Sequence, residues 1–285
     1  MYEAKRNGRN RFEFYDVRFD EESDEKFSLI QRLRPAVQAN ALAVYYQPLI
    51  DLKTGNICAL EALLRWPQED GSMIFPDRFI PLAESSGLID TLGAWVLNQA
   101  CMFCAKQQQN GNSELSIAVN LSFAQFKDGN LPQIVKGALE TSQLAPEHLE
   151  LELTESILAD DNGNVIQQLE QIKSLGVTFA IDDFGTGYSN LNYLRTFSAQ
   201  KLKIDRIFIN TLGFDEKDVP LVTAIISIAE SLGMATVAEG IENEAALKKI
   251  TEMGCDIGQG YYWSKPVPAE QIERLIEAQS PTNQR

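Results

Sequence analysis

Carboxylates recur at one kind of position along this chain. Val177 to Ile181 is a short apolar run with β-branched and aromatic residues, the pattern of a buried strand, and it leads straight into Asp182 and Asp183. Phe184-Gly-Thr-Gly187 follows, and then Tyr188-Ser-Asn-Leu-Asn-Tyr-Leu194, which reads as helix. Two adjacent acids at the end of a buried strand repel each other and are costly to strip of water unless a cation joins them. An Asx-type turn that caps the next helix would use the same Asp-Asp-x-Gly, so the pair alone leaves both readings open.

The other strand ends favour chemistry. Each predicted strand after the first ends apolar and then presents a ligand-type residue: Glu61, Asn120, Glu152, Asp182 with Asp183, Lys203, Glu239 and Gln259. A single rim carboxylate can simply cap a helix, but a whole series of strands ending this way is not a packing requirement. Five carboxylates and an amide on one rim make a strongly negative cup, which divalent cations would stabilise. The set offers only oxygen, and the sole histidine, His148, reads as a surface residue just before a strand. Mg²⁺ or Mn²⁺ is therefore expected, and the ligand count suits two ions. Lys203 among acids stays protonated, fit to orient an attacking hydroxide or a developing anion. Paired metals about 3.5–4 Å apart suit in-line attack of water on a phosphodiester. They would also let an anionic substrate approach a chain of net charge −15.

Bringing these residues together requires a closed sheet. Strands are predicted at 43–51 and 56–65, joined by Leu52-Lys-Thr-Gly55, a link too short for a parallel crossover. Helical stretches follow at 77–86 and 88–109. Six further strands are predicted at 115–121, 149–154, 177–183, 201–205, 235–240 and 256–263. Helical segments such as Val165–Ile172 and Leu221–Ala229 separate them. Eight strands alternating with helices predict an α/β fold, a (β/α)8 TIM-like barrel with an antiparallel first strand, whose site lies at the carboxyl rim. Ahead of it, Asp20–Glu25 is an acidic lead-in, and Phe27, Ile30, Leu33 and Val37 share the spacing of a docking helix face.

Composition narrows the partners. At 285 residues the chain can bury one large core, and 44% hydrophobic content is that of an ordinary globular protein. No apolar run approaches the roughly 20 residues that span a bilayer, and Met1–Arg6 has no apolar core, so neither a membrane span nor a secretory signal is expected. The acidic balance speaks against DNA and against anionic lipid. Four cysteines in an unsecreted chain imply reduced thiols and a cytoplasmic location. The Cys101-x-x-Cys104 pair falls inside a predicted helix as core packing.

The motifs together carry a resemblance. Glu61-Ala-Leu-Leu-Arg-Trp66, Val119-Asn-Leu-Ser122, Glu152-Leu-Thr-Glu155, Asp182-Asp-Phe-Gly-Thr-Gly-Tyr-Ser189, Leu202-Lys-Ile-Asp-Arg206, Ala238-Glu-Gly-Ile-Glu242 and Gly258-Gln-Gly260 resemble, in order and spacing, an EAL-domain cyclic-di-GMP phosphodiesterase over roughly residues 22–277. The resemblance implies metal-dependent hydrolysis of cyclic-di-GMP to linear pGpG. Glu61, Asn120, Glu152, Asp182, Asp183 and Glu239 become metal ligands, Glu239 the candidate general base, and Lys203 the residue that holds the water. Gln47, Leu63, Arg65, Asp205, Glu242 and Gln259 would face the substrate or support the ligands. Glu155 would anchor the loop after the 177–183 strand, which the family links to metal binding and to a homodimer contact. Glu155 and Glu242 can also be read as helix caps. Ca²⁺, which takes more oxygens at longer distance than Mg²⁺, should fill the cup and inhibit.

Met1-Tyr-Glu-Ala-Lys-x-x-Gly-Arg-Asn-Arg11 resembles the C-terminus of a diguanylate cyclase (GGDEF) domain, with a helix end at 1–8 and a strand at 11–15. The expected organisation is a remnant and linker at 1–20, the barrel at 21–279 and a disordered tail at 280–285. Upstream cyclase-like and sensory domains would complete the full-length protein and could tether it to a membrane. Glu84–Gly87 and Phe197–Gln200 are looser than the family pattern. The alternative function is a catalytically silent cyclic-di-GMP receptor or protein-binding module; the complete acid set favours the enzyme.

Overall fold

Nine strands form in the computed structural model, which describes residues 17–39, 41–158, 163–185, 197 and 199–279. They are β1 (Ala43–Asp51), β2 (Ile57–Pro67), β3 (Met73–Ile74), β4 (Ser116–Leu121), β5 (Leu149–Thr154), β6 (Thr178–Phe184), β7 (Lys201–Ile204), β8 (Ala235–Ala238) and β9 (Ile257–Gly258). The sheet order is β1-β9-β8-β7-β6-β5-β4-β2-β3, and β1 also pairs with β2, which closes an eight-stranded barrel with β3 as a short appendage on β2. β1 is antiparallel to both barrel neighbours, and the remaining barrel pairs are parallel. The reversal has a local cause. Asp51 Oδ1 accepts from the Lys53 and Thr54 amides at 3.0 and 2.7 Å, and Gly55 takes a φ of 75°, so the chain turns back at once.

Helices α1 (Val17–Gln38), α2 (Pro76–Ser86), α3 (Ile89–Gln109), α4 (Leu131–Ser142), α5 (Glu155–Leu158), α6 (Gly163–Ser174), α7 (Arg206–Ile209), α8 (Val219–Ser231), α9 (Glu244–Glu252) and α10 (Ala269–Gln279) accompany the strands. Their apolar faces bury the outward side of the barrel wall, for example Leu97, Val135, Leu169, Ile172 and Ile226 against Leu60, Ile117, Leu151, Phe179 and Leu202. Inside the barrel lies a separate, small apolar cluster of Leu49, Ala59, Val237 and Ile257. Side chains on a strand alternate faces with a period of two. Ala59, Val237 and Ile257 therefore point inward two residues before Glu61, Glu239 and Gln259. Leu49 lies two residues after Gln47 on the reversed strand. The Glu150–Lys201 ion pair, 3.0 Å apart, stands likewise two residues before Glu152 and Lys203. This layer is the floor on which the polar rim stands.

Some boundaries differ from the sequence reading. The strand expected at 256–263 forms a ladder only at Ile257–Gly258, because β8 ends at Ala238 and its chain turns at Gly240, φ 71°. Beyond that the two segments exchange single bonds, such as the Ile241 amide donating to the Gln259 carbonyl at 3.0 Å. A Cβ on Gly260 would sit 2.1 Å from the Ile241 carbonyl oxygen. The expected 201–205 strand stops at Ile204, where Asp205 caps α7 by accepting from the Ile207 amide at 2.7 Å. In α1, Leu29 and Leu33 are the buried contacts, while Phe27 is 63% exposed, so the docking face is rotated away from it. Cys101 and Cys104 are free thiols buried in α3, as packing residues should be. The helix end at 1–8, the strand at 11–15, the helix at 188–194 and the tail lie outside the described residues. Among the described residues, no helix is long and apolar enough to cross a membrane.

Candidate active site

Lys203 is the centre of the rim. It reaches inward from β7 with only 1% of its side chain exposed. Its Nζ lies 2.7 Å from Glu152 Oε2, 2.7 Å from Glu239 Oε1, 3.2 Å from Asp182 Oδ1 and 3.9 Å from Glu61 Oε1. Residues from β2, β5, β6 and the end of β8 thus meet on one ammonium. Register staggers them around the rim: Asn120 pairs with Glu152, while Glu61 pairs with Ala118 and Asp182 with Thr154, each one inward-facing step from level on adjacent parallel strands.

Amides fix the other side of the cup. Asn120 Nδ2 donates to Glu61 Oε1 at 2.7 Å, and Gln259 Nε2 donates to Glu61 Oε2 at 2.6 Å and to Gln47 Oε1 at 3.0 Å. Gln47 in turn donates to the Ser264 carbonyl at 3.0 Å. Both glutamines are buried, so in this structure they hold Glu61 and the segment after β9. The Ser264 carbonyl left no signal in the sequence, since any residue type supplies one.

Asp183 takes a φ of 55°, a left-handed conformation uncommon for residues other than glycine, and its amide donates to Asp182 Oδ1 at 3.0 Å. This turn aims successive carboxylates into the same space. Oxygens of Asp182, Asp183 and Glu239 lie within 4.8 Å of one another.

The electrostatics follow from crowding. Burial opposes the charge on Lys203, but Asp182, Glu152, Glu239 and Glu61 outweigh it and hold the ammonium well above its usual pKa. Burial, then the charge of Glu61, pushes Glu152 well above the usual carboxylate range. Glu61 is also penalised by burial, yet Lys203 and the Gln259 and Asn120 amides bring it below its ordinary value. Burial and the neighbouring charges of Asp182 and Glu61 raise Glu239 to about 8 despite Lys203, and burial with Asp182 and Asp205 raises Asp183 to about 6. One ammonium does not balance five carboxylates.

The donor set fits a divalent cation. Glu152 Oε1 is buried and has no hydrogen-bond partner among the described residues, an orphaned acceptor that normally demands a ligand. The clustered oxygens of Asp182, Asp183 and Glu239 add a hard, all-oxygen donor group of the kind Mg²⁺ or Mn²⁺ prefers.

The remaining candidates lie around this centre. Arg65 is half-buried, donates to the Leu64 carbonyl at 2.8 Å and stacks its guanidinium 5.9 Å from the centroid of Phe75, a partner the sequence reading missed. Leu63 joins Asn120 and Thr154 in lining a mainly apolar cavity of about 370 Å³ between the barrel wall, α2 and α3. Asp205 is occupied as the cap of α7 and also faces Asp183. Glu242 is exposed and does not cap α9; Asn243 does, accepting from the Ala246 amide at 2.9 Å. Glu155 opens α5 with both carboxylate oxygens buried and without a hydrogen-bond partner among the described residues. The loop hydroxyls expected to meet it lie outside them.

Comparison with known proteins places this geometry in context. A family model described as EAL domain matches residues 30–266. The chain is 42% identical over 272 residues to the bifunctional diguanylate cyclase/cyclic di-GMP phosphodiesterase MucR of Pseudomonas aeruginosa, covering 95% of this chain and 40% of that protein. It is 37% identical over 278 residues to the cyclic di-GMP phosphodiesterase NbdA of the same organism, covering 98% and 36%. A solved structure described as the PaMucR phosphodiesterase in complex with c-di-GMP superposes with a TM-score of 0.82 at 42% identity, covering 86% of this chain and 99% of that one. The chain spans about two fifths of the length of the two curated relatives.

Proposed function

The chain belongs to the EAL-domain family, and from that premise we propose that it hydrolyses cyclic-di-GMP to linear pGpG in a reaction that needs divalent metal. The observation that carries this reading is the convergence of four carboxylates, on or just beyond four different barrel strands, on the buried Lys203. Asp182, Asp183 and Glu239 would hold one Mg²⁺ or Mn²⁺ ion, and Glu61, Asn120 and Glu152 would supply ligands to a second. Bound cations would neutralise the cup and the phosphodiester and make water acidic enough to attack near neutral pH.

The protein's own residues then position and transfer. Lys203, rigid between Glu152 and Glu239, would orient the attacking water and stabilise charge developing on the phosphoryl oxygens. Glu239 beside it would accept the proton of that water. One P–O3′ bond breaks as the new P–O bond forms in line with it, and the leaving O3′ would take a proton from solvent, giving a 5′-phosphate and a free 3′-hydroxyl. Arg65, Leu63, Gln47, Gln259, Asp205 and Glu242 would contact the nucleotide or support those that do. Glu155 would steady the loop after β6, and that loop would contribute to a homodimer, as the motif resemblance implies. Residues 1–20 would be the end of an upstream cyclase-like domain, in keeping with the two activities in the name of MucR.

The test is to incubate purified protein with cyclic-di-GMP and Mg²⁺ or Mn²⁺ and to separate the products by chromatography. pGpG is expected. Bound but uncleaved nucleotide would instead support the receptor reading.

A further inference from the structure

Asn120 is the uncharged member of the proposed ligand set, tied to the cup by its donation to Glu61 Oε1 at 2.7 Å. The structure also holds it from the far side. β4 ends at Leu121, and Ser122 caps a 3-10 turn at Phe123–Phe126. Ser122 Oγ accepts from the Ala124 amide at 3.1 Å, and the Ser122 amide donates to Gln125 Oε1 at 2.8 Å, a reciprocal capping box. Ser122 Oγ also donates to Glu84 Oε1 of α2 at 2.6 Å.

Gln125 is the deep anchor of this group, with 4% exposure. Its amide lies against Gly93 in the second turn of α3, where a Cβ would stand 2.1 Å from Gln125 Nε2 and 3.0 Å from its Cδ. Glycine inside a helix weakens it by about 0.5–1 kcal/mol relative to alanine. No positive φ requires glycine at this position; the space taken by the Gln125 amide does.

We infer that Gln125, seated on Gly93, is a positioning residue that orients Asn120 toward the cup, an inference that rests on the metal-ligand role proposed for Asn120. Ser122 and Asn120 lie two residues apart along extended chain, so a shift at the Ser122 amide turns the Asn120 side chain with it. The Glu84–Ser122 hydrogen bond carries the same restraint to α2, in the Glu84–Gly87 segment that is looser than the family pattern.

Mn²⁺ binding to the metal-stripped chain, measured by the electron paramagnetic resonance signal of the free ion without nucleotide, tests this apart from activity. Gly93→Ala removes no group from the cup and favours helix, yet it should weaken Mn²⁺ binding about tenfold, as should Gln125→Ala. Gln125→Glu keeps the capping acceptor and should bind closer to wild type. In an Asn120→Ala background, Gly93→Ala should cost nothing further. Wild-type Mn²⁺ affinity in both Gly93→Ala and Gln125→Ala would overturn the inference. So would an equal loss from Gly93→Ala with and without Asn120. If Asn120→Ala alone binds Mn²⁺ like wild type, the ligand assignment falls, and this inference falls with it.

Discussion

Lys203 links the candidate chemistry to the stability of the barrel. Among the described residues it is the one cation paired with Glu61, Glu152, Asp182 and Glu239, and it is almost fully buried. Removing one partner from a buried charge group typically costs about 3–5 kcal/mol, because the others are left uncompensated. Lys203→Ala should therefore melt well below wild type in chelator and recover much of the difference in Mn²⁺, yet remain inactive. Circular dichroism melts with and without metal, beside a product assay, check this; equal melting in chelator would mean that the ammonium stabilises nothing. Asp182 should behave in the opposite way. Its charge raises Glu152, Asp183 and Glu239, so Asp182→Asn relieves repulsion in the metal-free state, and turnover should be abolished while the metal-free melting temperature stays level or rises. At this scale the sequence was most informative, since the side chains that meet on Lys203 all appear in it as polar residues ending apolar runs. Their partners were not visible there: the roles of Ser264 and Phe75 depend on contacts across more than two hundred and about ten residues of chain.

Strand alternation explains why the elements can bear so much charge. A floor of Leu49, Ala59, Val237 and Ile257 with the paired Glu150 and Lys201 lies one inward step below the polar rim, so the crowd of like charges is confined to the rim. The barrel and its antiparallel first strand were legible because a four-residue link admits no crossover. The last strand was not, because glycines at 258 and 260 read as a break or a continuation until the chain they pack against is known. Both are seated closely against Ile241. Gly260→Ala should force that junction apart, destabilise the protein by about 1–3 kcal/mol and loosen Gln259 from Glu61. A urea titration measures the first effect, and a weakened Mn²⁺ affinity would report the second. Unchanged values for both would show that the junction relaxes freely. Glu155 belongs to this scale as well. Its two oxygens, unpartnered among the described residues, suit the loop-anchor role, and Glu155→Ala should raise the Mg²⁺ concentration needed for half-maximal turnover, with excess Mg²⁺ restoring activity. An unchanged midpoint would leave Glu155 without a part in metal binding.

Across the whole molecule the cup makes stability depend on pH and on metal. Glu239, raised to about 8, and Asp183, raised to about 6, hold protons more tightly in the folded chain than in the unfolded one. Their stabilising contribution is complete below the ordinary carboxylate range and is lost as pH rises through those values. Glu61 shifts the other way, but Glu152 adds to the raised group. Stripped of divalent ions, the protein should thus melt at lower temperature at pH 8.5 than at pH 5.5. Mn²⁺ should restore more stability at the higher pH, where fewer protons compete for the carboxylates. Melts that are flat with pH in chelator would contradict these shifts.

Metal-dependent cleavage of cyclic-di-GMP is the central claim, and one chromatographic assay tests it most directly. Purified chain is incubated with the nucleotide in Mg²⁺, Mn²⁺, Ca²⁺ or chelator, and the products are resolved. Ca²⁺ binds at about 2.3–2.6 Å in loose geometry where Mg²⁺ needs about 2.0–2.1 Å, and misplacing reacting groups by about 1 Å can cost 100-fold. The expected result is pGpG in Mg²⁺ and Mn²⁺, intact nucleotide in Ca²⁺ and chelator, and suppression of the Mg²⁺ reaction by added Ca²⁺. Cleavage that proceeds equally in chelator, or no cleavage with any of the ions, would contradict it.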